Sequence, residues 1–113
     1  MGTVWSLRGR DGFERVRGGG RSARGPHVAV RLLVSGEDLP VRLGMAVGKP
    51  IGCAAQRNLV RRRLRSIVRE ASVPLHGTMV VIRAFPGVTD VAFDDLRSSV
   101  RQALGTLVPL GAP

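Results

Sequence analysis

Apolar residues recur through the middle of the chain with the period of an α-helix. They stand at the i, i+4, i+7, i+8 and i+11 positions of one helical edge, and they are Val60, Leu64, Ile67, Val68 and Ala71. Around them, residues 57–70 (RNLVRRRLRSIVRE) hold six arginines and one glutamate. The pattern predicts an amphipathic helix that buries one edge and displays its arginines.

Most of these arginines fall on one side of the predicted helix. At roughly 100° per residue, a polar group lies within about 100° of arc beside the buried edge. This cationic face consists of Asn58, Arg61, Arg62, Arg65 and Arg69, with Arg57 at its margin. The segment lacks the i, i+4 acidic partners that a solvated helix face normally carries. A polyanion is the expected partner.

Three segments have the apolar patterns of β-strands. Residues 27–35 (HVAVRLLVS) and 41–47 (VRLGMAV) flank the turn-forming sequence GEDLP, so they are predicted to pair as an antiparallel hairpin. Residues 78–84 (TMVVIRA) are almost continuously apolar, which predicts a strand at the centre of a sheet.

Two further helices are predicted towards the ends of the chain. A short one starts near Asp11 and ends at the glycines of residues 18–20, which are expected to form a turn or a flexible joint. A second one covers about residues 92–104, and Asp94 and Asp95 suit its positive N-terminal end.

The order α, β, β, α, β, α predicts an α+β fold, an α/β sandwich in which a small mixed sheet packs with helices. A chain of 113 residues is long enough for one core and too short for two. We therefore expect a single domain over residues 1–113, with residues 1–7 and 108–113 as flexible tails.

The charge of the whole chain points to the same kind of partner. Lysine and arginine number 18 against 8 acids, which gives a formal charge of +10. Self-repulsion of this size destabilises a compact state unless a ligand supplies counter-charge. All the basic residues except Lys49 are arginines, whose planar group donates two parallel hydrogen bonds to phosphate. A GC-rich coding bias also favours arginine, but it does not explain the clustering.

No catalytic or metal-ligating set is apparent. His27 and His76 lack partners at ligand spacing, and each is interpreted as a surface or strand histidine. Cys53 is alone, which excludes an internal disulfide and suits a reducing compartment. No stretch approaches the roughly 18 apolar residues of a membrane span, and no signal peptide is recognised. A cytoplasmic location without a membrane partner is expected.

Residues 44–65 carry a resemblance to a known family. The sequence GMAVGKPIGCAAQRNLVRRRLR resembles the signature G-(L/M)-x-V-x-K-K-x-G-x-A-V-x-R-N-R-x-K-R of the protein subunit of bacterial ribonuclease P. Asp11-Gly-Phe13 is similar to the family's E-D-F, residues 79–82 to its apolar strand before A-R-P, and residues 93–96 to the start of its last helix. The resemblance covers most of the chain.

The resemblance implies a fold and a division of labour. The fold would contain an unusual left-handed β-α-β crossover, against the general preference for right-handed connections. The protein would assist a catalytic RNA in removing the 5′ leader from precursor tRNA endonucleolytically. Its arginine-rich helix would contact the RNA subunit, and a cleft between the sheet and the first helix would bind the leader. The RNA would carry the chemistry and bind most of the Mg²⁺, and no protein partner would be required.

The resemblance also assigns candidate residues. Those expected to contact RNA are Lys49, Arg57, Asn58, Arg61, Arg62 and Arg65, to which the cationic face adds Arg69. Those expected in the leader cleft are Phe13, Arg17, His27, Val30 and Leu32. Arg17 and His27 stand where the family commonly has aromatics, and a guanidinium can replace a ring in stacking on a base. Pro50 replaces the second lysine of K-K, and Leu59 the second arginine of R-N-R. A structural, ribosomal-type RNA-binding protein without a role in cleavage is the alternative.

Overall fold

A computed structural model describes residues 2–110 and contains a five-stranded mixed sheet with three α-helices. The strands are β1 (Val4–Ser6), β2 (Arg21–Arg24), β3 (Val28–Val34), β4 (Val41–Ala46) and β5 (Thr78–Ala84). The helices are α1 (Gly9–Gly19), α2 (Ala54–Glu70) and α3 (Phe93–Leu107), and short 3-10 helices span Lys49–Ile51 and Val88–Asp90. The predicted α+β class is confirmed, and β1 and β2 are additions to the predicted order.

The strand order β1-β4-β5-β3-β2 places β5 at the centre of the sheet. It runs parallel to β4 and antiparallel to β3, while β1 runs parallel to β4 and β2 antiparallel to β3. This order confirms the central position that was predicted from the apolar run of β5. Apolar side chains on both faces of a strand favour a position inside the sheet, where they can be covered. Strands β4 and β5 are joined through α2, and a left-handed course for this crossover stays a prediction.

The predicted hairpin of β3 and β4 is wrong, because β5 lies between these two strands. Their connection, residues 35–40, passes over the start of β5 and is hydrogen-bonded there. Ser35 N donates to Gly77 O at 3.0 Å, and Gly77 N donates to Leu39 O at 2.8 Å. Skipping one strand requires two steps of about 4.8 Å, which six residues span easily. The turn-forming sequence GEDLP therefore belongs to a connection that passes over a third strand and not to a hairpin turn.

The two faces of the sheet are covered unequally. On one face α2 and α3 pack over the main core, which includes Val30 and Leu32 of β3 and Ile82 of β5. On the other face α1 covers a small cluster of Leu7, Val16 and Met79. The predicted apolar edge of α2 is confirmed, since its buried residues are Val60, Leu64, Ile67 and Val68. One helix cannot cover a whole sheet face, so part of the second face stays open.

The ends of the described chain are more ordered than expected. Residues 4–6, predicted as part of a tail, form β1, and Leu7 N donates to Leu43 O at 2.9 Å. At the other end Val108 and Leu110 pack against the main core. Gly18 and Gly19 continue α1 and do not form the predicted joint, while Gly20 N closes the helix on Val16 O at 2.8 Å. Residue 1 and residues 111–113 of the predicted tails lie outside the described residues.

An ion pair holds the connection that passes over β5. Arg42 on β4 donates to the Glu37 carboxylate at 2.7 Å and to Ser35 Oγ at 3.2 Å. The hydrogen bond from Arg42, together with its charge, lowers the pKa of Glu37 from the ordinary 4.5. The folded state therefore binds fewer protons than the unfolded state in this range. The stabilisation is complete above the ordinary pKa and is lost as the pH falls through the lowered one.

We expect Glu37→Gln to lower the free energy of unfolding at neutral pH, because the charge of the acceptor is lost. The deficit relative to the wild type should shrink as the pH falls below the lowered pKa, since the wild-type carboxyl then becomes neutral as well. Urea unfolding across this pH range measures both effects. Glu14→Gln is the matched control, because Glu14 Oε1 lies 4.0 Å from Arg10 Nε in an exposed pair, which contributes little. A deficit that is independent of pH would contradict the assignment.

Candidate nucleic-acid interface

Helix α2 displays the predicted cationic face, and two of its arginines also hold neighbouring backbone. Arg61 donates to Val47 O after β4 at 3.2 Å and to Asn58 Oδ1 at 3.2 Å. Arg65 donates to Val4 O at 3.4 Å and to Ser6 Oγ at 3.0 Å, both on β1. These bonds fix α2 against β1 and the end of β4. The cationic face is therefore a rigid surface of the domain.

The remaining arginines of α2 differ in how far they are available. Within residues 2–110, Arg62 and Arg69 make no side-chain hydrogen bond or ion pair, and Arg62 is exposed. Arg57 is partly buried, and Lys49 is exposed on the 3-10 helix that leads into α2. Arg63 lies on the far side, as the helical wheel predicts, where it donates to Val91 O at 3.4 Å. Arg62 is thus the member of the face best placed to bind an external anion.

Acidic side chains do not neutralise the cationic face. In the described part of the chain, the ion pairs join Arg10 to Glu14, Arg42 to Glu37, His76 to Asp38 and Arg97 to Glu70. None of them involves the cationic face, although Glu70 lies on the same helix. Its carboxylate instead accepts a 2.7 Å hydrogen bond from Arg97 on α3. Phosphate groups are suited to supply the missing counter-charge.

A cleft of about 500 Å³ lies between α1 and the open part of the sheet. Small and apolar residues form its floor, and they include Ala29, Ala46 and Val81. Phe13 and Arg17 of α1 line one wall, while Arg24 and Arg83 lie on the sheet. An apolar floor with arginines around it suits a chain of unpaired bases linked by phosphates.

The structure brings together some of the predicted cleft residues and not others. Phe13 and Arg17 line the cleft, as expected. Val30 is also among the lining residues, although it is only 1% exposed and its side chain belongs to the main core. The cleft-facing prediction is wrong for Leu32, which is 4% exposed, belongs to the same core and does not line the cleft. His27 is not among the residues that line the cleft, and its backbone N–H donates to Ser99 Oγ on α3 at 3.0 Å.

The cleft-facing residues of β3 are the neighbours of the predicted ones. Successive side chains of a strand point to opposite faces. With Val28 and Val30 buried, Ala29 and Arg31 must face the cleft, and both line it. Arg83 of β5 follows the same rule between buried Ile82 and Ala84. In β3 and in β5, the single arginine within an otherwise apolar strand was the sequence signal for the open face.

Arg31 fixes the position of α1 over the sheet. Its guanidinium donates to Val16 O at 3.2 Å and to Arg17 O at 2.6 Å, at the C-terminal end of α1. A third bond, to Ser22 Oγ at 3.3 Å, ties the same group to β2. A cation beside the last carbonyls of a helix satisfies their free lone pairs and complements the helix dipole. Arg31 therefore links the end of α1 to β3 and β2 beside the cleft.

Gly44 lets the Phe13 ring approach the backbone of β4. A Cβ atom at this position would lie 2.6 Å from Phe13 Cζ and 2.7 Å from Phe13 Cε1. Carbon atoms that are not bonded to each other do not come so close, so the ring occupies the space that a side chain at this position would fill. Phe13 is 36% exposed. One part of its ring rests on the sheet and the other remains free to contact a ligand.

Comparison with known proteins identifies the family. A sequence model of the family described as Ribonuclease P matches residues 1–108. The chain belongs to the ribonuclease P protein family. It is 41% identical over 91 residues to the ribonuclease P protein component of Clavibacter michiganensis subsp. michiganensis, and the match covers 79% of each chain.

Other members of the ribonuclease P protein family agree in sequence and fold. The chain is 39% identical over 103 residues to the Thermus thermophilus protein component, a match that covers 91% of this chain and 60% of that relative. The chain thus spans about 60% of the length of this relative. The solved structure of the RNase P protein from Thermotoga maritima is 26% identical and superposes with a TM-score of 0.74, covering 86% of this chain and 92% of that one.

Two departures from the ribonuclease P motif are accommodated locally. Pro50 lies in the first turn of the 3-10 helix Lys49–Ile51, where no backbone N–H is needed. Leu59 is partly buried on the side of α2 away from the cationic face. Neither residue disturbs the elements that carry the ribonuclease P signature.

The described residues offer no built metal site. Within residues 2–110, no three His, Cys, Asp or Glu side chains come together in a group that could hold a metal ion. These residues therefore offer no donor set for a Mg²⁺ ion, and the expectation that the RNA subunit binds most of the Mg²⁺ stays a prediction. None of the helices within residues 2–110 is long and apolar enough to cross a membrane.

We expect Gly44→Ala to displace the Phe13 ring and to lower the free energy of unfolding by about 1–3 kcal/mol, the usual cost of overpacking. Urea unfolding and the aromatic NMR signals of Phe13 measure the two effects. Gly48→Ala is the matched control in the same motif, because its Cβ would meet Pro50 Cδ at an ordinary 3.6 Å. Equal stability and unchanged Phe13 signals in both variants would show that the ring does not rest on Gly44.

Proposed function

We propose that this chain is the protein subunit of a cytoplasmic ribonuclease P holoenzyme that removes the 5′ leader from precursor tRNA. The observation that carries the proposal is the pairing of two cationic surfaces on one small domain of this family. One is the rigid face of α2, which no described carboxylate neutralises. The other is the arginine-lined cleft between α1 and the sheet. Two RNA elements can thus be held at once.

The α2 face is assigned to the catalytic RNA subunit. Its contacts come from guanidinium groups and Asn58, which suit phosphate and sugar oxygens and position a protein without reading sequence. Arg61 and Arg65 hold β4 and β1 as well, so binding to this face would fix the cleft relative to the RNA. No protein partner is needed for this arrangement.

The cleft is assigned to the leader of precursor tRNA. Sequence-independent binding of single strands combines aromatic or guanidinium planes for the bases with cations for the backbone. Phe13 and Arg17 on α1 supply these two kinds of group on one wall. The floor of Ala29, Ala46 and Val81 offers few groups that could hydrogen-bond to base edges. This composition fits leaders of varied sequence.

The hydrolytic chemistry is assigned to the RNA. Mg²⁺ is a hard cation that prefers phosphate oxygens and water, which the RNA subunit and the substrate supply. The described residues of this chain provide no carboxylate cluster for it. The protein contributes affinity for the leader and neutralises repulsion between the two RNA backbones.

Cleavage of precursor tRNA at low Mg²⁺ by the cognate catalytic RNA, with and without this purified chain, tests the proposal. We expect the protein to stimulate cleavage and the product to begin at the mature 5′ end. The stimulation should fall in the double variant Arg62→Ala/Arg69→Ala, which spares the arginines that hold β1 and β4. Arg101→Ala on α3 is the matched control. RNA binding without any stimulation would instead support a structural RNA-binding protein.

The salt dependence of binding tests the docking role of α2 separately. If Arg62 neutralises one phosphate of the RNA subunit, Arg62→Ala should flatten the slope of log affinity against log salt by up to about one unit. Filter binding at several salt concentrations measures the slope, and Arg101→Ala should leave it unchanged. A wild-type slope in Arg62→Ala would remove this residue from the interface.

A further inference from the structure

Two arginines flank a single aromatic ring on the open part of the sheet. The guanidinium carbon of Arg24 lies 5.0 Å from the centroid of the Phe85 ring, and that of Arg83 lies 5.8 Å from it. Both distances fall within the roughly 6 Å range of cation–π attraction. Arg24 and Arg83 are exposed, and Phe85 is partly buried. We name these three residues the Phe85 cluster.

The sheet register produces the Phe85 cluster. Arg24 on β2 pairs with Ala29 on β3, and Ala29 pairs in turn with Arg83 on β5. The two arginines therefore stand in one row on the same face, about 10 Å apart across two strand spacings, with only a methyl group between them. Phe85 directly follows β5, and its N–H donates to His27 O at 3.0 Å. This bond fixes the backbone that carries the ring.

The positive charge of the Phe85 cluster lacks a partner in the described part of the chain. Neither Arg24 nor Arg83 forms an ion pair or a side-chain hydrogen bond there. Two like charges held beside one ring repel each other, and a bound anion would relieve the repulsion. The ring also limits the motion of both guanidinium groups, so less entropy is lost when an anion binds.

The Phe85 cluster lies between the two surfaces already described. Arg24 and Arg83 line the leader cleft, and together with Phe85 they also line a neighbouring depression of about 610 Å³. The further lining of this depression includes Gly48 and Pro50 of the ribonuclease P motif and Arg61 of α2. An RNA strand that passed from the cleft to the cationic face of α2 would cross the Phe85 cluster. Phe13 and Arg17, by contrast, lie on the α1 wall.

We propose that Arg24, Phe85 and Arg83 form a distinct subsite for one unpaired nucleotide of single-stranded RNA, where the leader leaves the α1 cleft towards α2. The proposal rests on the leader-binding role stated above. The arginines donate to the phosphate, and their planes, held by Phe85, are available to stack on the base. The neighbouring Ala29 and Ala46 carry no hydrogen-bonding side-chain groups that could read a base edge.

The test compares the affinity of the reconstituted holoenzyme for precursor tRNA with its affinity for the same tRNA without a leader. We expect Arg24→Gln/Arg83→Gln to weaken binding of the leader-bearing RNA by at least about tenfold, the loss that corresponds to one charge-assisted hydrogen bond, and to leave the leaderless RNA unaffected. The salt slope should flatten by about 0.7 for one single-strand phosphate. Arg21→Gln, on β2 in register with Leu32 of the core face, is the matched control.

A second variant and a leader series locate the contact. Phe85→Leu keeps both charges and removes the ring, so we expect a smaller loss that is again confined to leader-bearing RNA. When the leader is shortened one nucleotide at a time, the difference between the wild type and the double variant should vanish at one step. Equal losses on leaderless RNA, or no loss in the double variant, would overturn the subsite. A wild-type holoenzyme that does not distinguish the two RNAs would instead overturn the leader-binding role itself.

Discussion

The burial of β5 between β4 and β3 is the constraint on which the rest of the structure depends. A strand with an almost continuous apolar run needs a neighbour along each edge and cover over its apolar side chains, and on β5 only Val81 and Arg83 lie on the open part of the sheet. It therefore takes β4 and β3 as neighbours, and their connection has to pass over its start, where Gly77 exchanges backbone hydrogen bonds with residues 35 and 39. Arg42 and Glu37 stabilise that passage. Helices on both faces then follow from the need to cover the sheet.

Sequence periodicity predicted the helices and strands themselves better than it predicted which strands pair. The stripe of α2, the apolar strand β5 and the last helix follow local rules, and all three are present. The pairing of β3 with β4 failed because a turn signal in sequence does not say whether a third strand enters between two others. The side chains of Val30 and Leu32 belong to the core and not to the cleft for a related reason, since alternation relates the residues of a strand to each other but does not say which face is open. Only the placement of α1, α2 and α3 decides that.

Eight of the arginines fall into two groups that composition cannot separate. Arg31, Arg61, Arg63 and Arg65 each donate to a backbone carbonyl of another element, so they act partly as cross-links of the fold. Arg24, Arg62, Arg69 and Arg83 have no such bond within the described residues. The helical wheel identified the cationic face of α2 correctly, but it could not show that Arg65 reaches β1. That bond depends on a strand that was predicted as a tail.

The open half of the sheet follows from the sizes of its residues. Its outer row runs Arg24, Ala29, Arg83 and Ala46 across four strands, and the next row contains Gly44 under the Phe13 ring. Small residues keep the floor low, so a ligand backbone can approach the sheet, while arginines at two positions of the outer row supply charge. An additional helix over these rows would bury the arginines, whose desolvation is costly without paired charges. The small residues leave the cleft open, and the arginines disfavour its being filled by another part of the protein. A polyanion that stays partly hydrated is suited to occupy it.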